Sequence, residues 1–174
     1  MRTETIIKKI YTFDELPEET QQRVLANLYS INVDHEWWEN VYEDANQISM
    51  RIESFDIDRG SYCNAIFIND ACETAYKIVD NHGVVCETHK TATAFLKERD
   101  EAVDCAPKDE NGDFENEFEL DQKLDKIETE FFKAIREDYR INLQKEYEYQ
   151  TSEESIKDTI EANEYEFDEE GNLA

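Results

Sequence analysis

The stretch "FDIDRGSYCNAIFI", residues 55–68, places Asp56 and Asp58 one residue apart. On a β-strand that spacing puts both carboxylates on one face, about 6–7 Å apart, where a divalent cation can bridge them. With Glu39 or Glu43 as a further ligand and Arg59 or Lys77 to hold a phosphate, the pair would suit a metal-dependent nuclease or transferase. No glycine-rich phosphate loop accompanies it. The simpler expectation is a polar strand face that ends at an Arg59–Gly60 turn.

Three other constellations fall short of a recognised site. In "HEWWE", Glu39 occupies the position where a zinc peptidase would place its second histidine. His35, Glu39 and Glu43 would then share one polar helical face. Cys86 and His89 stand three apart, with Cys63, Cys72, His82 and Cys105 scattered around them; structural zinc sites show two tight ligand pairs, and only one is present. "DENGDFENEFEL" from Asp109 resembles a calcium loop at Asn111 and Asp113, but Phe114 stands where glycine is required and Leu120 where the bidentate glutamate belongs. No cofactor is implied, and no serine–histidine–aspartate order is legible.

What stands out chemically is acidity. The chain of 174 residues has 44 acidic and 18 basic side chains, a formal net charge of −26. Two dense blocks concentrate it. Asp109, Glu110, Asp113, Glu115, Glu117, Glu119, Asp121 and Asp125 form the first, and Glu164, Glu166, Asp168, Glu169 and Glu170 the second. Such a balance excludes direct binding to nucleic acid or to an anionic membrane surface. Carboxylates repeating every three or four residues of a helix lie about 5–6 Å apart, a spacing on the scale of charges along a nucleic-acid strand. The array therefore fits a basic partner, and the two blocks are the expected contact surface. Tyr147 and Tyr149 would add specificity. The bland alternative is a solvated surface.

These residues must be positioned by an α+β fold, a small antiparallel sheet flanked by several helices. "TIIKKIYTF" reads as a first strand. Asp14 and Pro17 suit the start of a helix with Leu16, Val24, Leu25, Leu28 and Ile31 as its apolar stripe. A second helix from Asp34, with Trp37, Trp38, Val41, Ala45 and Ile48 inward, would complete an αα-hairpin. "SMRIESFDID" and "SYCNAIFI" read as a β-hairpin, with Phe55 and Ile57 on one face and Asp56 and Asp58 on the other. Helices follow over "NDACETAYKIVDNHG" and "ETHKTATAFLKERDEAVD", then a loop at Pro107. A long helix is marked by Phe118, Leu124, Ile127, Phe131, Ile135, Tyr139, Leu143 and Tyr147. A short helix at "SEESIKDTIEAN" and a terminal strand "EYEFDEEGNL" end the chain. No internal repeat is visible. The expected organisation is a core over 1–105 and an acidic helical region over 106–174, forming one folded unit. Phe131, Ile135 and Tyr139 offer a face through which two copies could pair.

Two Trp, nine Tyr and nine Phe against four Gly and two Pro argue for a folded chain. No run of 18 apolar residues spans a membrane and the amino-terminal apolar patch is too short for a signal peptide. A cytoplasmic protein with four reduced cysteines is expected.

The segments "YTFDELPEETQQRVL", "WWENVYEDANQISMRIESFDIDRGSY" and "TIEANEYEFDEEGNL" resemble a group of small acidic proteins carried by bacteriophages and prophages. The group has no assigned chemistry, so the resemblance implies a mobile-element origin and no catalytic residues. Small, highly acidic phage proteins are often inhibitors of host nucleic-acid enzymes, among them anti-CRISPR and antirestriction proteins that present themselves as DNA. By that class analogy, the expectation is a non-enzymatic inhibitor of a basic, nucleic-acid-binding host protein.

Overall fold

The computed structural model describes residues 8–174. The fold is α+β: the described residues form six α-helices and one two-stranded antiparallel sheet. The described residues form two compact units, one of residues 8–37 and 145–174, the other of 38–144. The expected boundary at residues 105 and 106 falls inside the second unit. Of the first strand expected over 5–13, residues 5–7 lie outside the described residues. The rest forms only an isolated bridge from Tyr11 to Phe167 and a 3₁₀ turn over Phe13–Glu15.

In the first unit, α1 (Glu18–Asn27) starts at Pro17, whose carbonyl accepts from the backbone N–H groups of Thr20 and Gln21 at 2.8 and 2.9 Å. Asp14 is not its cap but part of the preceding turn, where the Thr12 N–H donates to Glu15 Oε2 at 2.9 Å. The short helix near the end of the chain, α6 (Glu153–Ala162), is capped by Ser152, whose Oγ accepts from the Ser155 N–H. Phe13, Leu16, Val24, Leu25, Ile156, Ile160 and Phe167 form one buried cluster, with Leu28 and Ile31 half-buried against it. The α1 stripe is therefore core, as its spacing indicates.

The terminal segment is not a strand. Phe167 makes single bridges to Tyr11 and Leu173, and a turn follows it. Gly171 closes that turn at φ +86°, and a Cβ there would lie 2.9 Å from Val24 Cγ2 and 3.0 Å from Thr20 Cγ2. Only glycine meets both demands without strain.

The two helices expected as an αα-hairpin fall in different units. The helix expected from Asp34 begins later, as α2 (Glu39–Gln47), and belongs to the second unit. The two tryptophans show why: Trp37 packs edge-on against Tyr147 in the first unit, Trp38 against Phe55 in the second. One helix through both would hold these neighbours about 100° apart around a shared axis, so the helix starts after them.

The second unit holds β1 (Met50–Asp56), β2 (Tyr62–Phe67), α3 (Ala71–Asn81), α4 (Glu87–Asp104) and most of α5 (Glu117–Gln150). The hairpin register pairs Met50 with Phe67, Ile52 with Ala65 and Phe55 with Cys63, with an irregularity between Ile52 and Ser54. Strict alternation from Met50 and Ile52 would turn Ser54 and Asp56 inward. The extra residue resets the alternation, so Phe55 packs against Trp38 and Tyr42 and Asp56 pairs with exposed Tyr62.

A two-stranded sheet cannot stand alone. Helix α5 covers it: Phe132 lies 4.2 Å from Phe67 by ring centroids, and Arg136 Nε donates to the Ala65 carbonyl at 3.2 Å. Phe131 stacks on Phe95 of α4 at 4.2 Å. Along α5 the buried residues are Leu120, Ile127, Phe131, Ile135, Tyr139 and Leu143. Phe118, expected inside, is 72% exposed. It precedes Ile127 by two and a half turns and so points from the opposite side of the helix. Phe131, Ile135 and Tyr139 are buried in the unit's own core, so this face is not free to pair two copies.

Candidate functional site

Asp56 ends β1 and Asp58 lies in the hairpin's turn. The Asp56 Oδ1 accepts the Asp58 backbone N–H at 2.7 Å, an Asx turn that directs one carboxylate into its own backbone. His35 lies in the turns before α2, while Glu39 and Glu43 are on α2, so the three do not share a helical face. Cys86 and Cys105 flank α4 at opposite ends, about 28 Å apart at 1.5 Å per residue. Cys63 is buried beneath the sheet, and burial pushes its thiol up to about 11. Among the described residues, no three His, Cys, Asp or Glu side chains converge to hold a metal ion.

The polar groups that do converge in the second unit are interior. Tyr139 Oη donates to Asp44 Oδ2 at 2.6 Å, and burial together with this bond raises its phenol well above the ordinary value. His82 bonds Thr88 through Nδ1 at 2.7 Å and sets Nε2 3.6 Å from Asp44 Oδ1. Thr88 is buried, so this nucleophile–base–acid order braces α2, α4 and α5 and is closed to a substrate. Sequence reasoning missed it, because its members come from four separate segments.

Asp138 is a partly buried carboxylate of α5. Burial raises its carboxyl, against the bond donated by Thr91 Oγ1 at 2.8 Å. A carboxyl with a raised folded value contributes most below its unfolded pKa and loses that contribution as pH rises through the folded one. Asp138→Asn keeps an acceptor for Thr91 and is expected to raise stability at pH 7 by up to about 1 kcal/mol, the group being only partly buried. Thermal melts at pH 7 and pH 4 check this. The gain should shrink at the lower pH, and a lower melting temperature at pH 7 would show that Thr91 needs the charge.

The thirteen acidic residues of the two blocks sit at two different places. Asp109, Glu110, Asp113 and Glu115 lie on the loop after α4, and Glu117, Glu119, Asp121 and Asp125 on the first turns of α5; all are exposed. Acids there also complement the positive end of the helix dipole. Asp109 makes a turn rather than a calcium loop: its Oδ1 accepts the N–H groups of Asn111 and Asp113 at 2.8 and 3.0 Å, which holds its carboxyl below the usual range.

Asp168 does the same, accepting from the N–H groups of Glu170 and Asn172, both at 2.9 Å, and its carboxyl is also held low, chiefly by Asn172. Gly112 and Gly171 take φ of +89° and +86° at matching positions. "DENGD" and "DEEGN" are thus one five-residue turn used twice, a small repeat with its signal in plain view: Asp, Glu, any residue, Gly, then Asp or Asn. Both aspartates support their turns above the ordinary carboxylate pKa and lose that contribution as pH falls through the lowered folded value.

Each block borders a cleft. In the second unit, one of about 410 Å³ lies between the ends of α4 and α5, lined by Ala102, Cys105, Pro107, Glu115, Glu119 and Leu120, with Lys123 also at its wall. In the first unit, another of about 410 Å³ is lined by Phe13, Ile160 and Tyr165 together with Asp14, Glu161, Glu164 and Glu166. Phe13 and Ile160 are buried while the four carboxylates are exposed, so the cleft has an apolar base and an acidic mouth. Among the described residues, no basic side chain lines it. Of the two tyrosines expected to add specificity, Tyr149 is exposed, and Tyr147 packs on Trp37.

Fold and surface together define an α+β protein whose distinctive chemistry is exposed carboxylate beside two small surface clefts. Comparison with protein-family models, with curated proteins and with solved structures gives no match. Among the described residues, no helix is long and apolar enough to cross a membrane.

Proposed function

We propose that this chain is a non-enzymatic, acidic protein of phage type that binds a basic nucleic-acid-binding host protein and inhibits it by occupying the surface meant for nucleic acid. One observation carries the reading. Among the described residues, the nine ion pairs involve none of the thirteen carboxylates of the two blocks. Lys8 acts on Asp168 without pairing with it, so the field of the two blocks is offset at one point and not closed off by ion pairs. Along α5, Glu117, Asp121 and Asp125 repeat every four residues, a rise of about 6 Å per step on one side of the helix. Charge of this kind steers a basic partner and draws affinity from many small contacts.

The test is a pull-down from bacterial lysate at low salt, with elution by a salt gradient and, in parallel, by duplex DNA. Basic nucleic-acid-binding proteins should leave the resin steeply with salt and should be displaced by the DNA. Capture that DNA does not compete would sink the mimic reading. A Mg²⁺- or Mn²⁺-dependent nuclease activity lost in Asp56→Asn would overturn its non-enzymatic part.

A further inference from the structure

His82 and Asp44 face each other in the second unit at a distance too long for a hydrogen bond. Nε2 of the imidazole lies 3.6 Å from Asp44 Oδ1, whereas a charge-assisted bond closes to about 2.7–2.9 Å. The His82 side chain is 7% exposed, and its Nε2 has no hydrogen-bond partner among the described residues. A buried ring nitrogen in that state is costly and calls for a physical reason. The rest of the ring is well held, with Nδ1 2.7 Å from Thr88 Oγ1.

Both residues carry the supporting contacts of a metal ligand. A metal-binding histidine fixes its ring through the other nitrogen, and a ligating carboxylate is itself hydrogen-bonded. Thr88, 4% exposed, meets Nδ1. Tyr139 Oη donates to Asp44 Oδ2 at 2.6 Å, which leaves Oδ1 toward the imidazole. With Nδ1–H donating to Thr88, Nε2 presents its lone pair to a carboxylate oxygen. Two lone pairs so placed repel unless a cation lies between them. Around a tetrahedral ion with bonds of about 2.0–2.1 Å, neighbouring ligand atoms stand about 3.3 Å apart, and the 3.6 Å observed is close to that. One nitrogen and one oxygen donor suit zinc and its first-row neighbours better than magnesium or calcium, which take oxygen alone. The protein supplies two ligands and not three. Asp44, with 45% of its side chain exposed, opens the remaining positions to water and gives an entering ion its path.

We propose that His82 Nε2 and Asp44 Oδ1 bind one divalent transition-metal ion of the zinc type, with water in its other positions, and that the ion ties α2 to the end of α3. Both residues lie outside the two acidic blocks, so the site stands or falls independently of the reading under Proposed function.

The test uses the full chain at neutral pH with its thiols reduced, and Zn²⁺ as the probe against a background of excess Mg²⁺ that occupies exposed carboxylates. Long-range ¹H–¹⁵N NMR resolves the ring nitrogens of the three histidines. His82 Nε2 should shift in a saturable, one-to-one manner as zinc is added, and the melting temperature should rise with it. Asp44→Asn keeps an oxygen for Tyr139 and can turn an amide N–H toward Nε2. It should melt near the parent while zinc affinity at His82 falls by more than about tenfold, the least that even an outer-shell partner costs. Thr88→Val removes the bond that orients the ring and should weaken zinc by about 10–100-fold. His35→Gln, at an exposed position before α2, should leave the His82 response unchanged. Zinc that moves only the rings of His35 and His89, or moves His82 Nε2 equally in the parent and in Asp44→Asn, would overturn the site. So would a Nε2 shift produced by acid and not by zinc, because a proton alone would then link the pair.

Discussion

Phe167→Ala is expected to destabilise the first unit by about 3–5 kcal/mol, the usual range for removing a fully buried aromatic side chain. Phe167 is 1% exposed, lies 6.5 Å from Phe13 in an edge-to-face arrangement, and exchanges two backbone hydrogen bonds of 2.8 Å with Tyr11. It is the tail's one residue in the buried cluster that also holds Val24, Leu25, Ile156 and Ile160. A cavity here has few ways to collapse, because the backbone on either side is fixed by the bridge to Tyr11 and by the Asp168 turn. A typical domain has only about 5–15 kcal/mol in total, so the variant should lose much of its protection. Denaturant unfolding followed by circular dichroism gives the size. Amide exchange gives the place: Tyr11 and Gly171 should lose protection before the amides of β1 and β2. A loss below about 1 kcal/mol would mean that the tail is an ornament on a core complete without it.

How far the sequence reveals such a structure depends on whether the signal is local. Helix α4 runs from Glu87 to Asp104, the segment its sequence marks out, and α3 begins at Asp70, whose Oδ1 accepts the Glu73 N–H at 2.8 Å. Caps and helical periodicity lie within a few residues of each other and can be read directly. The hairpin was legible for the same reason. Its bulge was not, since the need to turn Phe55 toward Trp38 and Tyr42 is set by α2. The terminal strand failed for want of a partner: alternation in "EYEF" is visible, but nothing in those residues says that Tyr11 offers only one bridge. Phe118 failed because two apolar residues on opposite faces of a long helix look alike until the packed face is known.

The candidate site divides in the same way. Charge is a property of composition, so both acidic blocks were legible by residue. The clefts beside them were not. The one in the first unit joins Phe13 and Asp14 to Ile160 and Tyr165 across most of the chain's length, and only the packing of α1 against α6 brings them together. Asp14 was read as a helix cap, and Glu161 was not singled out at all. No periodicity within either segment announces their meeting.

Converting the first block to amides should therefore separate field from fold. The set is Asp109→Asn, Glu110→Gln, Asp113→Asn, Glu115→Gln, Glu117→Gln, Glu119→Gln, Asp121→Asn and Asp125→Asn. Amides are the right choice, because Asp109 Oδ1 accepts two backbone N–H groups and an asparagine oxygen still can. Lysines would remove that acceptor and unfold the turn, confusing the two effects. Each exposed charge contributes about 0.2–1 kcal/mol to a facing basic surface, so eight removed together should weaken binding to a captured basic partner by at least about tenfold at low salt, and by up to roughly 10⁶-fold if every one makes its full contact. The salt dependence should flatten in proportion, since fewer ions are exchanged when the complex forms. Loss of the favourable dipole pairing at the start of α5 lowers stability, by about 0.3–1 kcal/mol for each first-turn acid, while relief of repulsion within a chain of net charge −26 works in the opposite direction. The melting temperature should accordingly move much less than the affinity. Binding isotherms at two salt concentrations, with melts of parent and variant alongside, decide the matter. Unchanged affinity at low salt would assign this block to solvation alone. It would leave the second block, on the first unit, as the surface on which recognition has to rest.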